Sequence, residues 1–249
     1  MQTAILGRAG FATTPSSARE RAHSQWGWLA AGLVFAFALP YLLTDLATLK
    51  RDLYYGIYAA AVFGFFALWL RYAVDQPRGL LTRNWQKGIL LGIMFACATA
   101  AIALSEKATT HPHGLRFVAA VVWRGVVYGA ADGVLLSVFP VLGVVAAFSS
   151  RPLRERRKRA IAGIGALALA VSLLFTAVYH VGYSDFRGEK LRKPLIGDVI
   201  WSAPTLATLS PIGAPLAHIG LHVSAVVHAY DTNTFLPPHS SSNAERRRP

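Results

Sequence analysis

Two histidines near the carboxyl terminus are spaced so that their side chains can act together. His218 and His222 stand four residues apart in His218-Ile-Gly-Leu-His222, so both project from one face of a helix. His180 lies near the end of an earlier apolar stretch and can approach them in a folded bundle. Neutral imidazoles are common ligands for transition metals and also act as general bases. These three histidines therefore predict a shared site for a divalent metal or for catalysis, although hydrogen bonding between helices would explain the same spacing.

Two charged residues within one apolar stretch are candidates for the same site. Arg124 and Asp132 are separated by about 80° around a helix. A charge inside a membrane costs ~2.5–3.5 kcal/mol on insertion scales, so such residues are candidates for function. We predict one polar site whose catalytic residues are Arg124, Asp132, His180, His218 and His222, with the three histidines as the metal ligands. The alternative is that Arg124 and Asp132 pair with each other or with neighbouring helices and hold the bundle together.

Other ionisable residues lie near the ends of apolar stretches, where water is close. Asp45, Arg71 and Asp198 are therefore predicted to be ordinary interfacial residues. The single cysteine, Cys97, lies in the middle of an apolar stretch and is predicted to be a small buried residue.

Membrane helices are the elements that must position these side chains. Of the 249 residues, 54% are hydrophobic and 15% are charged, whereas a soluble domain carries about 25% charge. The apolar residues fall in blocks long enough for the roughly 20 residues that a helix needs to cross the hydrocarbon core. A helix also satisfies its own backbone hydrogen bonds in lipid. The chain is therefore predicted to be all-α, a polytopic transmembrane bundle with about 6–8 membrane segments.

The formal net charge of +13 does not indicate a nucleic-acid-binding surface. Lys and Arg collect between the apolar blocks, most densely at 151–159, as the positive-inside rule expects of cytoplasmic loops. No nucleic-acid motif accompanies them, so nucleic acid is excluded as a partner. The expected surroundings are a lipid bilayer, with a membrane protein or a peptide as a further partner. The composition favours a bacterial plasma membrane with the amino terminus in the cytoplasm.

Three domains follow from the distribution of polar residues. Residues 1–25 are predicted to be a disordered basic tail, 26–230 a transmembrane helical domain, and 231–249 a disordered polar tail. Within the membrane domain, 115–149 is too long for one straight span, so it is either a single broken crossing, which the charge pattern favours, or a hairpin. The stretch 194–209 either spans the membrane or re-enters it.

Three short stretches lie on separate apolar segments: Ala119-Ala-Val-Val-Trp-Arg-Gly125, Thr176-Ala-Val-Tyr-His180 and His218-Ile-Gly-Leu-His222. They resemble the E-E-x-x-x-R, F-x-x-x-H and H-x-x-x-N motifs of the CAAX-protease and bacteriocin-processing family of intramembrane enzymes. The resemblance covers about residues 115–230. It implies a helical scaffold of that family, with a polar site formed by the three motifs.

The chain departs from the family's pattern where the chemistry is concentrated. Ala119 and Ala120 occupy the positions of the paired glutamates, which in the family work with the histidines to activate water for peptide hydrolysis. Alanine can neither accept a proton nor bind a metal. His222 stands where the family has Asn, and Asp132 is the nearest available carboxylate. The resemblance therefore implies a degenerate member without family-type proteolysis.

Three functions remain open from the sequence. The first is a binding, assembly or immunity-type membrane protein on this scaffold. The second is an intramembrane metal-dependent hydrolase or protease that uses Asp132 with His180, His218 and His222. The third is a haem or metal redox protein in which the histidines are ligands.

Overall fold

The chain forms a bundle of helices joined by short connections. The computed structural model describes residues 18–148, 158–232 and 235–237. The helices are α1 (Ala18–Pro40), α2 (Arg51–Ala73), α3 (Pro77–Leu81), α4 (Trp85–Leu104), α5 (Leu115–Ala147), α6 (Lys158–Val181), α7 (Arg192–Thr208) and α8 (Gly213–His228). No strand occurs within these described ranges, and the all-α prediction is confirmed.

Five of the helices, α1, α2, α4, α5 and α6, are long and apolar enough to cross a membrane. They contain 20 to 33 residues each, and their most apolar windows have a mean hydropathy between 1.7 and 2.3. Their outward faces carry exposed Leu, Ile, Val and Phe side chains, which lipid can cover. Cys97 is also exposed, so the prediction that it is buried is wrong. The predicted polytopic helical bundle is confirmed, and the protein is an integral membrane protein.

Helix α5 is the centre of the bundle. In its most apolar window 78% of the residues are buried inside the protein, against 22–39% in the other four long helices. The helix continues from Leu115 to Ala147, so the hairpin considered for 115–149 is wrong. At 1.5 Å per residue its 33 residues extend about 50 Å, which exceeds the roughly 30 Å hydrocarbon core. Helix α5 is therefore tilted or extends beyond the core.

The expected break in this helix is replaced by two π-helical segments. They span Val121–Val127 and Gly133–Val138, and the helix stays continuous through both. The second segment ends shortly before Pro140, whose missing N–H would interrupt a regular hydrogen-bond ladder. π-helical turns often occur at functional sites because they change the direction of side chains.

Glycines on α5 allow α8 to approach it closely. Gly125, Gly129 and Gly133 recur at intervals of four residues and so lie along one face. A Cβ atom added at Gly129 would lie 2.9 Å from Ile219 Cα and 3.1 Å from the backbone oxygen of His218. Small residues at this spacing let the backbones of membrane helices pack tightly. The packing places Asp132, next to Gly133, beside α8.

Helices α7 and α8 form a short hairpin in the interior. The chain turns at Leu209, which has a positive φ of 54°. Thr205 Oγ1 stabilises the turn, because it donates to the backbone oxygen of Ser210 over 3.0 Å and accepts from Ala214 N over 3.2 Å. The stretch predicted at 194–209 is thus the helix α7, which is 17 residues long and buries one face against other helices while Ile196 and Val199 are exposed.

Two predicted domain boundaries are corrected by the structure. Helix α1 begins at Ala18, so residues 18–25 belong to a helix, since Ala, Arg, Glu and Gln favour helical structure. After α8, Leu236 is fully buried against the bundle, so the polar tail does not begin at 231. Residues 1–17 and 238–249 lie outside the described ranges.

Candidate metal centre

Asp132, His218 and His222 form a buried cluster where α5 meets α8. One potential ligand atom of each residue lies within 4.8 Å of the other two. The three residues are only 5%, 1% and 4% exposed, respectively. Their rings and carboxylate meet because the two histidines share one face of α8, as predicted, and the glycine face of α5 brings Asp132 against it. The structure thus joins the predicted histidine pair to one carboxylate.

Hydrogen bonds hold the carboxylate and one imidazole in defined orientations. The hydroxyl of Tyr58 donates to Asp132 Oδ1 over 2.7 Å, and His222 Nε2 lies 3.2 Å from Asp132 Oδ2. On the other side of the ring, His222 Nδ1 lies 2.9 Å from the backbone oxygen of Phe235. A carbonyl oxygen can only accept, so His222 Nδ1 carries a proton.

This orientation directs the other nitrogen of His222 at the carboxylate. In a neutral imidazole with its proton on Nδ1, the Nε2 atom presents a lone pair. A lone pair that faces a carboxylate oxygen repels it unless a proton or a cation lies between them. Metal-ligating histidines characteristically donate their second N–H to a backbone carbonyl or a carboxylate. The Phe235 contact is therefore the arrangement expected for a ligand of a metal ion.

The residue types also fit a divalent metal. Two histidines and one carboxylate are the protein ligands of many catalytic zinc and non-haem iron sites, in which other positions stay open for water or substrate. Tetrahedral ligands at about 2.0–2.2 Å from an ion are separated by about 3.4 Å. Since the donor atoms of Asp132, His218 and His222 are up to 4.8 Å apart, a bound ion would draw them slightly inward.

A cavity of about 330 Å³ reaches the cluster from one end of the bundle. Asp132, His218 and His222 contribute to its lining, and apolar walls are formed by residues such as Leu136, Ile200 and Leu221. This volume is within the range of small-molecule sites, which combine apolar walls with a few convergent polar groups. The cavity therefore gives a substrate or ligand access to the cluster.

The mouth of the cavity lies between the end of α4 and the beginning of α7. Glu106 and Lys193 flank it and form an ion pair over 3.8 Å. Ile102 and Ile196 also line the cavity, and they are 38% and 61% exposed on the surface of the bundle. Lipid can cover these two exposed apolar side chains.

His180 lines the same cavity but is not part of the three-residue cluster. Its Nδ1 atom lies 2.7 Å from the backbone oxygen of Thr176, so Nδ1 donates and Nε2 is left with a lone pair. All four residues of the predicted Asp132 and histidine set therefore line one cavity. The ligand role predicted for His180 stays a prediction, because the residue that completes the compact group is Asp132.

Arg124 lies apart from the cavity and is paired with a neighbouring helix. Its Nε and Nη2 atoms donate to the two carboxylate oxygens of Asp52 over 2.7 and 2.8 Å. Its guanidinium carbon also lies 4.7 Å from the centre of the Tyr230 ring. This geometry corresponds to the predicted alternative, in which the charge joins helices of the bundle, while its predicted catalytic role stays a prediction.

We expect Arg124→Ala to leave the cluster of Asp132, His218 and His222 intact. Asp52 is 59% exposed at its side chain, and a pair that water can reach contributes at most about 1 kcal/mol. The thermal unfolding midpoint should fall by only a few degrees, and the metal content should equal that of the wild type. Loss of the metal in this variant would instead place Arg124 in the site.

Sequence reasoning missed a group of buried tyrosines beside the cluster. The group comprises Tyr54, Tyr55, Tyr58, Tyr128, Tyr179 and Tyr183, each no more than 3% exposed. Four of their hydroxyls bond one another, for example Tyr128 to Tyr179 over 2.8 Å and Tyr179 to Tyr183 over 2.6 Å, with Tyr54 as the fourth. The hydroxyl of Tyr55 has no hydrogen-bond partner among the described residues. The ring of Tyr58 packs against those of Tyr54, Tyr128 and Tyr179, and its hydroxyl bonds Asp132. The spacing of four residues within Tyr54/Tyr58 and Tyr179/Tyr183 is the signal that could have revealed it.

Asp198 was also missed, and the prediction that it is interfacial is wrong. Its side chain is fully buried in α7, where Ser202 Oγ donates to its Oδ1 atom over 3.0 Å. The four-residue spacing of Asp198 and Ser202 places both on one face of that helix and is the sequence signal for a buried polar pair.

Comparison with known proteins gives no family for this chain. No protein-family model matches it, and neither a curated protein nor a solved structure does.

Proposed function

We propose that the protein is a metal-dependent hydrolase of the membrane, in which Asp132, His218 and His222 hold a divalent cation. The observation that carries this proposal is the compact group of two histidines and one carboxylate at the inner end of a cavity. Ionisable residues in membrane segments are usually functional or paired. Here they also converge on an accessible space, which supports chemistry rather than packing alone.

The reaction assigned to the site is hydrolysis of an ester or amide. A divalent ion held there would supply Lewis acidity toward the carbonyl group and the attacking water. The oxygen of water bonds to the carbonyl carbon, and the bond from that carbon to the ester oxygen or amide nitrogen breaks. The departing alcohol or amine takes one proton of the water, and the other product is the carboxylic acid. His180 has a lone pair at Nε2 and lines the cavity, so it is suited to accept the water's proton and return it to the leaving group.

The substrate class is an amphiphile with an apolar portion. Leu136, Ile200 and Leu221 provide apolar walls, and lipid can cover Ile102 and Ile196 beside the mouth. A lipid-like ester or a membrane-embedded peptide can enter from that side without first passing through water. The polar residues at the inner end then face the bond to be cleaved.

The site opens on the side of the membrane away from the cytoplasm. The end of α4 and the beginning of α7 form the mouth, whereas the amino-terminal end of α1, the end of α5 and the beginning of α6 lie at the opposite end. The basic segment 151–159 stands between α5 and the first residues of α6 in the sequence, which favours the cytoplasmic side for those helix ends. In a bacterial plasma membrane the substrate would come from the outer half of the bilayer.

A non-catalytic membrane protein is the second candidate, on the scaffold of the CAAX-protease and bacteriocin-processing family that the sequence resembles. The observation that favours it is the contact of His222 with Asp132 at 3.2 Å, since an imidazolium–carboxylate pair could satisfy both groups without a metal. Ala119 and Ala120, which stand in place of the family's glutamates, also favour a non-catalytic protein. Such a protein would bind a membrane protein or peptide in the cavity.

Turnover of membrane-embedded substrates separates the two candidates. The zinc-loaded wild type in lipid nanodiscs should hydrolyse a fluorogenic long-chain ester or a fluorogenic lipidated peptide, and a chelator should stop the reaction. His180→Ala should lower turnover by about 10²–10⁴-fold with unchanged zinc content, as expected for loss of a general base. The control is His228→Ala, since His228 contacts the backbone oxygen of Glu106 over 2.9 Å. It is not one of the three residues Asp132, His218 and His222, which we call the metal cluster. A fully zinc-loaded protein that cleaves neither substrate would favour the non-catalytic candidate.

A further inference from the structure

A second buried polar cluster lies where α5, α6 and α7 meet. Asp198 on α7 is surrounded by hydroxyl side chains from all three helices, and each member is fully buried: Ser137, Ser172, Thr176 and Ser202. We call these five residues the hydroxyl cage. It is distinct from the metal cluster and was not predicted as a site.

The hydrogen bonds of the cage leave part of its carboxylate unused. Asp198 Oδ1 accepts from Ser202 over 3.0 Å and from Ser137 over 3.4 Å. Ser202 and Ser137 are in turn 2.9 Å apart, and Ser172 lies 2.8 Å from Ser202. Within the described part of the chain, Asp198 Oδ2 and Thr176 Oγ1 have no hydrogen-bond partner. Two buried oxygen atoms are thus available to coordinate a cation.

We propose that the hydroxyl cage binds a sodium ion. Burying an ionised carboxylate is costly unless a cation or sufficient hydrogen bonds compensate its charge. The hydrogen-bond partners of Asp198 are neutral hydroxyls, which can orient toward a cation through their oxygen lone pairs. Hard cations prefer such carboxylate and neutral oxygen ligands.

The charge and dimensions of the cage select a small monovalent ion. One carboxylate neutralises one positive charge, whereas a divalent ion would leave an excess charge in an apolar interior. The oxygen atoms of the cage lie 2.8 to 3.4 Å apart through their hydrogen bonds. An octahedral shell at about 2.4 Å from an ion, the distance for cations of the size of Ca²⁺, has edges of about 3.4 Å, so the shorter pairs would open slightly when the ion binds. Sodium has nearly the same radius, while potassium needs a wider shell.

The sodium site stands independently of the proposed hydrolase. Ser137 lies between the two clusters, because its Oγ atom is 3.4 Å from both Asp198 Oδ1 and His218 Nε2. The cage offers oxygen ligands only, whereas the metal cluster offers two imidazole nitrogens. A failure to bind zinc therefore leaves the sodium proposal standing, and the reverse also holds.

Thermal unfolding at constant ionic strength tests the proposal. Purified protein is heated in a series of sodium chloride concentrations, and choline chloride is added so that the total salt concentration stays constant. We expect Tm to rise by about 5–10 °C at a hundredfold excess of sodium over its Kd. Potassium chloride should produce no comparable rise. A Tm that is independent of sodium, or that rises equally with potassium and choline, would overturn the proposal.

Two substitutions and a matched control locate the ion. Asp198→Asn should remove the sodium-dependent rise, and Thr176→Val, which keeps the side-chain shape, should raise the half-saturating sodium concentration about tenfold. The Thr176 variant gives a result even if Asp198→Asn does not fold. Asp132→Asn, a change in the other buried carboxylate, should keep the full sodium response. An unchanged response in Thr176→Val and Asp198→Asn would refute the assignment.

Discussion

Asp132→Ala is expected to abolish stoichiometric zinc binding and to lower the free energy of unfolding by about 3–5 kcal/mol. The Asp132 carboxylate accepts from Tyr58 at 2.7 Å and faces His222 at 3.2 Å, so its removal leaves two buried polar partners unsatisfied. It also removes the one anionic ligand of the cluster. Isothermal titration with zinc and denaturant-induced or thermal unfolding measure the two effects.

The control for this substitution is Asp52→Ala. Asp52 also belongs to an ion pair, with Arg124, but its side chain is 59% exposed. We expect this variant to lose less than about 1 kcal/mol and to bind zinc as the wild type does. If Asp132→Ala bound zinc with wild-type affinity, the ligand set assigned here would be incorrect.

Gly129→Leu is expected to separate α5 from α8 and so to dismantle the metal centre. Even a Cβ atom at this position would lie 2.9 Å from Ile219 Cα and 3.1 Å from the backbone oxygen of His218. Since those atoms belong to the backbone, a rotamer change cannot relieve the contact, and α8 must move. Overpacking typically costs about 1–3 kcal/mol, and we expect at least that loss. The displacement also moves His218 away from Asp132, so zinc affinity should fall.

Gly163→Leu is the matched control for this helix packing. Gly163 lies on α6, and a Cβ atom there would meet nothing within 4 Å. Replacing glycine in a helix by leucine removes a cost of up to about 1 kcal/mol, so this variant should be as stable as the wild type or slightly more so. Gly129→Leu with unchanged Tm and zinc affinity would show that the α5–α8 contact does not position the site.

The sequence was sufficient to predict the histidine face and to name Asp132 as a member of the site, but not the helix contact that brings Asp132 to the histidines. The spacing of His218 and His222 follows directly from helix geometry, and the structure keeps them together. The meeting with Asp132 depends on the Gly129 and Gly133 contacts with α8, which are tertiary. The contact of His222 with Phe235 is also tertiary, since Phe235 lies in a segment predicted to be a disordered tail.

The two π-helical segments explain why the direction of side chains on α5 could not be predicted. The angle of about 80° between Arg124 and Asp132, calculated from their spacing in the sequence, assumes a regular helix of 3.6 residues per turn. The segments Val121–Val127 and Gly133–Val138 depart from that geometry, and Arg124 lies within the first of them. Arg124 pairs with Asp52, whereas Asp132 points to Tyr58 and His222.

Asp198 shows the limit of judging burial from position along a segment. It lies near the beginning of an apolar stretch, which suggested that water could reach it. In the folded chain, one face of α7 packs against neighbouring helices, and Asp198 lies on that face and is fully buried. The depth of a residue was inferred from one helix, but it depends on which helices surround it.

The resemblance to the CAAX-protease and bacteriocin-processing family stays a prediction. Ala120, at one of the two glutamate positions, precedes Asp132 by about 18 Å along the axis of α5. The carboxylate of Asp132 thus lies about three turns further along α5 than the glutamates of the family motif would lie. If the chain shares that family's ancestry, its site has been rebuilt around Asp132.

Metal content is the measurement that tests the central claim most directly. The wild type and the double variant His218→Ala/His222→Ala are purified in detergent, incubated with zinc, freed of unbound ions and analysed by elemental mass spectrometry. The proposed centre predicts about one ion per wild-type chain and a loss of that ion in the double variant, because three-ligand sites depend on each protein ligand. A wild type that retains no metal, or a folded double variant that retains as much as the wild type, would contradict the claim.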